Sequence, residues 1–287
     1  MTPPADIRVV DAHLHLWDLD QGDYAWLTPE AGPLHRTFTA DEARGELDGC
    51  GVATAVLVQA EDSERDTEHL LEVAERAGWV AGVVGWVRLD DVATAQAQLD
   101  RWQASPAFRG VRHLVHEDPR EDLLDRPEVH ATLRLLAERG LPFDVPDAWP
   151  RHLAATARLA RAVPELSVVV DHLGKPPFGT PEWQAWRAAL ADVAARPRTV
   201  AKVSGLQQPG VPLTAERARP AWETALELFG PERLMWGSDW PMTLRSGGYA
   251  NAWAALSALV GELSAAEQAS VLEGTATRVY GLPVLRR

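Results

Sequence analysis

The sequence of 287 residues contains one cysteine, Cys50, so no disulfide can form within the chain. It also lacks any stretch near the roughly 20 apolar residues that a membrane-spanning helix requires, and we expect no membrane partner. The first residues do not show the basic and then apolar order of a secretory signal. These absences together favour a cytoplasmic protein.

Positive charge is scarce as well, because 28 Lys and Arg residues stand against 41 Asp and Glu residues, which gives a net charge of −13. Binding to a nucleic-acid backbone needs a basic face, so we expect no nucleic acid as partner. The hydrophobic fraction of 46% lies in the ordinary globular range, and a sizeable core can therefore be buried.

Strand-like runs rich in Val, Ile and Leu alternate with amphipathic helical segments along the whole chain. Helical spacing is clear at 67–77, 92–104, 129–139 and 181–195, and a last helix is predicted at 265–275. The predicted strands number eight: 8–15, 53–59, 80–87, 110–115, 142–145, 166–171, 200–204 and 234–238. Eight such units predict a single-domain (β/α)8 TIM barrel spanning residues 1–287.

An open, doubly wound sheet is the alternative to a barrel. It would normally carry a glycine-rich phosphate-binding turn after the first strand, where this chain has His13-Leu14-His15. The strand-to-helix connections are long, and the first covers residues 16–39. In a barrel these connections share the rim that carries the chemistry.

Aromatic side chains are concentrated in this first loop, which contains Trp17, Tyr24, Trp26 and Phe38. An aromatic loop over the barrel mouth suits stacking on a sugar ring or another flat ligand, with indole and phenol groups as donors. The alternative is that these rings pack the loop onto the barrel.

Two histidines, His13 and His15, lie at the end of the first predicted strand. Side chains two residues apart on a strand point the same way, so both would face the barrel mouth as metal ligands or a substrate clamp. The pattern alone would also fit two structural histidines. Asp11 has the same parity but lies deeper, as a buried acceptor. Asp239 follows strand eight, which neighbours strand one in a closed barrel; there it could bind a metal or accept a proton from water.

Four further strand ends carry residues that could act on a ligand or serve a structural role. His172 follows strand six and could polarise a carbonyl. Arg112 and His113 are neighbours on strand four, so only one of them can point into the pocket. Lys202 on strand seven needs an anionic partner, either a carboxylate or the ligand. His152, just beyond strand five, is a further candidate.

Six blocks, in order along nearly the whole chain, resemble the amidohydrolase superfamily, and in particular its amidohydrolase-related group of small lactonases. The blocks are VDAHLHLW (10–17), GDYAWL (22–27), RGVRH (109–113), DHLGKP (171–176), KVSGL (202–206) and WGSDWP (236–241). The resemblance implies an enzyme that opens the lactone of a small sugar acid, such as a fucono- or rhamnonolactone, or of a related organic acid such as pyrone dicarboxylate.

The resemblance also implies roles for particular residues. Asp239 would act as general base toward water, and His172, Arg112 or a metal on His13 and His15 would stabilise the oxyanion. Metal-rich relatives place a histidine on strand five, which is absent here, and this argues against a binuclear centre. One zinc or other divalent metal on His13, His15 and Asp239, or no metal at all, remains compatible. We predict substrate contacts at Trp17, Trp26, His113, His152, Lys202 and Trp240.

Two other functions are compatible with these patterns. One is a metal-dependent non-oxidative decarboxylase of the same superfamily, although such enzymes carry the strand-five ligand that this chain lacks. The other is a non-catalytic barrel that binds sugar acids. Asp239 argues against a mere binder, because a protein that only binds needs no base.

Overall fold

Parallel strands follow one another around a barrel in the computed structural model, which describes residues 7–283. They pair in chain order from first to last. The strands are β1 (Val10–Leu14), β2 (Thr54–Val58), β3 (Val80–Gly85), β4 (Phe108–Arg112), β5 (Phe143–Val145), β6 (Val168–Val170), β7 (Thr199–Val203) and β8 (Leu234–Trp236).

The residues that follow β8 close the barrel against the end of β1. Leu14 and Trp240 form a parallel bridge. The amide of His15 donates to the Trp240 carbonyl at 2.8 Å, and the amide of Asp239 donates to the His13 carbonyl at 2.8 Å. The predicted (β/α)8 barrel is confirmed, and the open-sheet alternative is wrong.

Helices cover the outside of the barrel, and five of those described begin at a Ser, Thr or Asp whose side chain caps the first turn. The Thr39 side chain and Glu42 form a capping box at the start of the first helix. Within residues 7–283, no helix combines the length and apolarity needed to cross a membrane. The helices are α1 (Ala40–Cys50), α2 (Glu64–Arg76), α3 (Val92–Trp102), α4 (Pro127–Glu138), α5 (Leu153–Ala162), α6 (Trp183–Ala194), α7 (Ala215–Phe229), α8 (Gly248–Val260), α9 (Ala265–Ala269) and α10 (Thr275–Tyr280).

Most strands end earlier than the sequence predicted. The last one was predicted at 234–238 and is observed at Leu234–Trp236. The reason is that the following residues leave the strand ladder and turn their side chains toward the rim. The final helix, predicted at 265–275, is a longer segment in which a π-helical turn at Ser270–Gly274 joins α9 to α10.

Inward-facing side chains of alternate positions fill the barrel axis. One cluster there contains Val10, Val56, Val84 and Val169. Tyr280 from α10 packs against the same cluster. The Tyr280 hydroxyl donates to Asp144 Oδ2 at 2.7 Å, which joins α10 to the barrel interior.

The long first loop, residues 15–39, is confirmed and packs tightly on the barrel mouth. It contains a 3₁₀ helix at Pro29–Leu34. The backbones of Trp17 and Phe38 form an antiparallel bridge across the loop. Their rings pack edge to face, with the centroids 5.1 Å apart. The Tyr24 hydroxyl donates to buried Asp66 at 2.7 Å, so this phenol holds the loop rather than facing a ligand.

Barrel closure requires the absence of a side chain at Gly237. A Cβ atom there would lie 2.7 Å from His13 Cβ and 3.0 Å from the His13 amide nitrogen, which is too close. We expect Gly237→Ala to lower the free energy of unfolding by about 1–3 kcal/mol, as overpacking does. Urea denaturation checks this.

The matched control is Gly45→Ala on the exposed face of α1, where an added Cβ meets nothing within 4 Å. Because alanine favours a helix over glycine, this control should be neutral or stabilise the protein by up to about 1 kcal/mol. Equal unfolding midpoints for the two variants would contradict the proposed steric constraint at Gly237.

Candidate active site

A concave cavity opens at the carboxyl ends of the strands. Its walls come from the connections that follow strands on all sides of the barrel. The lining residues are His15, Trp17, Trp26, Ala60, Arg112, Leu114, His116, Glu117, Asp147, His172, Lys175, Asp239 and Met242. The predicted rim is therefore where the concave site lies.

His13, His15 and Asp239 converge at the floor of this cavity. His13 Nε2 lies 3.0 Å from His15 Nε2. Asp239 Oδ1 lies 3.8 Å from His13 Nε2 and 3.6 Å from His15 Nε2. All three side chains are almost fully buried. Barrel closure has thus brought together groups more than two hundred residues apart, as the sequence predicted.

The Asp239 carboxylate has two different faces. Its Oδ1 faces the histidines, including His172 Nε2 at 3.8 Å. Its Oδ2 accepts a hydrogen bond of 2.7 Å from Gln207 Nε2. Burial alone would raise the pKa of Asp239, but attraction to His172, His15 and Lys175 outweighs it and holds the pKa well below its usual range. The carboxylate is therefore ionised and oriented.

His172 projects into the same cavity from the end of β6. The Ser204 hydroxyl lies 2.9 Å from its Nδ1, and when this hydroxyl donates, the ring proton is on Nε2. Burial lowers the pKa of His172 to about 4, so the ring is neutral near pH 7. Gly205 makes room for this ring, because a Cβ at that position would lie 2.2 Å from Nδ1. A neutral imidazole with an N–H toward the cavity can donate to a carbonyl oxygen.

Strain is concentrated at this rim. Six non-glycine residues among those described have positive φ, and four of them line the cavity: Asp147, His172, Lys175 and Asp239. Such backbone costs about 1–3 kcal/mol per residue and persists where function needs a particular side-chain position.

Of the two neighbours at the end of β4, Arg112 faces the cavity and His113 does not. Arg112 Nε donates to Asp171 Oδ2 at 2.9 Å, and Nη1 donates to the Gln59 carbonyl at 3.0 Å. His113 instead accepts from the Trp86 indole at 3.1 Å and lies 3.3 Å from Asp62. The alternation along the strand explains why only one of them reaches the site.

Lys202 is fully buried below the cavity rather than in its wall. Its Nζ lies 2.6 Å from Asp144 Oδ2, 3.1 Å from Asp171 Oδ1 and 3.0 Å from His13 Nδ1. Burial raises the pKa of Asp144 to about 6, although Lys202 opposes this rise. Burial would also raise the pKa of Asp171, but Lys202, His13 and Arg112 hold it well below its usual range. The anionic partners of Lys202 are therefore carboxylates of the protein.

The predicted aromatic contacts divide into two groups. Trp17 and Trp26 line the cavity, but their indole N–H groups donate to the Arg36 and Ala60 carbonyls at 2.7 and 2.8 Å. Trp26 is partly exposed and can offer ring surface to a ligand, whereas Trp17 is fully buried. The expected donation from the two indoles is not available. Trp240 is buried against Phe38, and His152 is buried at the start of α5, so neither reaches the cavity wall.

Four residues that the sequence did not single out belong to the site: His116, Glu117 and Asp147 in the wall, and Gln207 beside Asp239. They lie on loops beyond β4, β5 and β7, where no periodicity predicts side-chain direction. The only signal available was their position shortly after a strand end.

The residues at the floor fit a divalent metal. Ligand atoms about 2.0–2.2 Å from a tetrahedral zinc lie roughly 3.4 Å apart, close to the separations among His13, His15 and Asp239. His15 Nδ1 lies 2.8 Å from the Val58 carbonyl and donates to it, so its Nε2 lone pair is free. Burial and then Lys202 lower the pKa of His13, which keeps that ring neutral as a ligand must be. The three residues form a candidate metal site.

The proton of His13 has two possible positions. Lys202 donates to Nδ1 when the proton is on Nε2, and Asp171 Oδ1, 3.4 Å away, accepts it when the proton is on Nδ1. Binding of a metal through Nε2 selects the second position. Asp171, His13 and His172 form a second group of side chains that could hold a metal ion. Asp171, however, already pairs with Lys202 and Arg112.

Lys202 provides a test of the buried ion cluster. Replacing it by methionine leaves two buried carboxylates without their cation, and we expect Lys202→Met to lower the free energy of unfolding by about 3–5 kcal/mol. Lys175→Met is the control, since Lys175 is partly exposed and should cost at most about 1 kcal/mol. Denaturant unfolding of both variants measures the difference, and equal costs would contradict a structural role for Lys202.

Comparison with known proteins identifies the family of this chain. A family model described as Amidohydrolase matches residues 10–282. The chain belongs to the amidohydrolase family. The predicted resemblance is confirmed, and the chain is an enzyme of the amidohydrolase superfamily.

Similar proteins cover nearly the whole chain. An L-fucono-1,5-lactonase of Burkholderia ambifaria is 34% identical over 249 residues, which cover 86% of this chain and 85% of the relative. A crystal structure of a Burkholderia multivorans amidohydrolase with bound zinc is 29% identical, with a TM-score of 0.84 over 96% of this chain and 99% of the other. A structure from Pseudomonas putida described as a 2-pyrone-4,6-dicarboxylic acid hydrolase is 26% identical, with a TM-score of 0.74 over 96% and 98%.

Proposed function

We propose that this chain is a single-domain hydrolase that opens the lactone of a small sugar acid by attack of water. One observation carries the proposal: the ionised Asp239 carboxylate faces His13, His15 and His172 at 3.6–3.8 Å on the floor of the cavity at the carboxyl ends of the strands. The similarity to a fuconolactonase supports the substrate class.

Asp239 is the general base of the proposed reaction. It is ionised, and Gln207 fixes one carboxylate oxygen while the other faces the histidines. A water molecule between Asp239 and the substrate would transfer a proton to the carboxylate as it attacks the lactone carbonyl. The same carboxyl can then return that proton to the alkoxide released when the ring opens.

His172 and Arg112 stabilise the negative charge on the carbonyl oxygen during this attack. His172 presents a neutral N–H, and Arg112 carries a permanent positive charge at the cavity wall. Both are held in place before the substrate arrives, His172 by Ser204 and Arg112 by Asp171. Donors fixed in advance need no reorganisation as charge develops, which is the main source of oxyanion stabilisation.

Zinc is the metal that we assign to His13, His15 and Asp239. Two imidazoles and one carboxylate are a donor set that zinc favours, with a position left open for water or substrate. When bound, the ion would supply positive charge that acidifies water and polarises the lactone carbonyl. The zinc found in the Burkholderia multivorans amidohydrolase supports this choice.

Asp239→Asn tests the base. The variant keeps the shape of the side chain but cannot accept the proton, so we expect kcat to fall about 100- to 10 000-fold. A pH-indicator assay across sugar lactones and other organic-acid lactones measures this. The control is Asp100→Asn, which removes a carboxylate paired with Arg139 outside the barrel. Unchanged turnover in Asp239→Asn would contradict the assignment.

The outcome with wild-type protein separates the alternatives. Failure to hydrolyse any lactone, together with release of carbon dioxide from an aromatic acid, would support the decarboxylase. Binding of sugar acids with no turnover of either kind would support the non-catalytic barrel. The connection after β5 does not favour the decarboxylase, because Asp147 rather than a histidine occupies the cavity wall there.

Metal content provides a measurement that does not depend on activity. We expect the purified wild-type chain to contain about one zinc ion per molecule, because three neutral or anionic ligand groups converge. His15→Ala should lose most of this metal, whereas His69→Ala on α2 should retain it. Elemental analysis of dialysed samples checks this. Wild-type protein that is fully active without metal would contradict the zinc assignment and leave Asp239, His172 and Arg112 as the catalytic set.

A further inference from the structure

Asp147 is a charged group in the cavity wall that the reaction proposed above does not use. It follows β5 in the connection to α5 and has a φ of 43°, a conformation that few side chains adopt. Its Oδ1 is buried and makes no hydrogen bond with the residues that the structure describes. A buried carboxylate oxygen normally accepts a hydrogen bond, and Asp147 Oδ1 has no such donor among the described residues.

The surroundings of Asp147 hold it toward the cavity. Lys175 Nζ lies 3.7 Å from Oδ1, and His172 Nε2 lies 4.0 Å from the same oxygen. Both distances exceed a hydrogen bond, so the charges attract while the oxygen keeps its accepting capacity. Lys175 also has a positive φ, of 61°, and its ammonium donates to the Gly205 carbonyl at 3.3 Å.

A carboxylate beside an ammonium matches both roles of an alcohol group. The carboxylate accepts the hydroxyl hydrogen, and the ammonium donates to the hydroxyl oxygen. The partly exposed indole ring of Trp26 lies on the loop after β1, and β1 and β5 lie on opposite sides of an eight-stranded barrel. A ring that carries hydroxyls could therefore place a C–H face on Trp26 and its hydroxyls toward Asp147.

The charge of the cavity favours the same kind of ligand. Its walls carry three carboxylates, on Glu117, Asp147 and Asp239, against two permanent cations, on Arg112 and Lys175. Arg112 is already paired with Asp171. A carboxylate group of a lactone placed beside Asp147 would meet a like charge and compete with it for Lys175, whereas a hydroxyl group would not.

We propose that Asp147, together with Lys175, is the specificity-determining pair that binds hydroxyl groups of an uncharged, polyhydroxylated lactone and disfavours lactones bearing carboxylates. This inference rests on the proposed lactone hydrolysis. It concerns binding of the substrate's substituents, and leaves the chemistry at the carbonyl to Asp239 and its neighbours.

Asp147→Asn tests the proposal, because asparagine tolerates positive φ and so replaces the charge without straining the backbone. Three substrates are compared: a polyhydroxylated six-membered lactone, the same ring without hydroxyls, and a lactone bearing carboxylates. We expect kcat/KM for the hydroxylated lactone to fall about 10- to 100-fold, mainly through KM, as loss of hydrogen bonds to a charged group would cause. The unsubstituted ring should lose much less than the hydroxylated one, and the carboxylated lactone should improve.

Asp100→Asn, which removes the same charge outside the barrel, should alter none of the three. Equal loss on hydroxylated and unsubstituted rings would overturn the role of Asp147, and so would a wild-type preference for the carboxylated lactone. Lys175→Met provides a second variant, with the same expected selectivity for the hydroxylated ring. A wild-type chain that hydrolyses none of the three lactones would overturn the proposed function itself.

Discussion

Two backbone hydrogen bonds join the ends of the barrel: Asp239 N–H donates to the His13 carbonyl, and His15 N–H donates to the Trp240 carbonyl. They fix the last strand connection against the first strand. Because both residues that donate also carry site side chains, closure of the fold and assembly of the site are the same event. Gly237 has no side chain at the point where the backbone packs against His13 too closely for a Cβ atom.

Buried charge is the second feature that supports the site. Lys202, Asp144 and Asp171 lie wholly inside the barrel, and Arg112 joins them at its edge. Removing such groups from water is costly, and each is compensated only because its partners converge from different strands. Lys202 and Asp171 contact His13 Nδ1, so the cluster orients this proposed metal-binding residue from the side opposite the cavity.

The wall above this floor differs in character. Its residues come from loops, several in strained conformations, and they leave accepting or donating capacity unused, as Asp147 does. A rigid floor with loop-borne walls is the usual division between chemistry and specificity in barrels. The names of the similar proteins, an L-fucono-1,5-lactonase and a 2-pyrone-4,6-dicarboxylic acid hydrolase, refer to differently substituted lactones.

Sequence patterns alone determined the eight strands, the barrel and the proximity of His13, His15 and Asp239. These follow from short-range periodicity and from the rule that the last strand of a closed barrel neighbours the first. The family came from the resemblance of six sequence blocks. Only the tertiary structure decided that Arg112 rather than His113 faces the cavity, that Lys202 pairs with protein carboxylates, and that Trp240 and His152 are buried. It also added His116, Glu117, Asp147 and Gln207. Loop conformation and the pairing of buried charges depend on contacts between residues far apart in the chain, which no local pattern records.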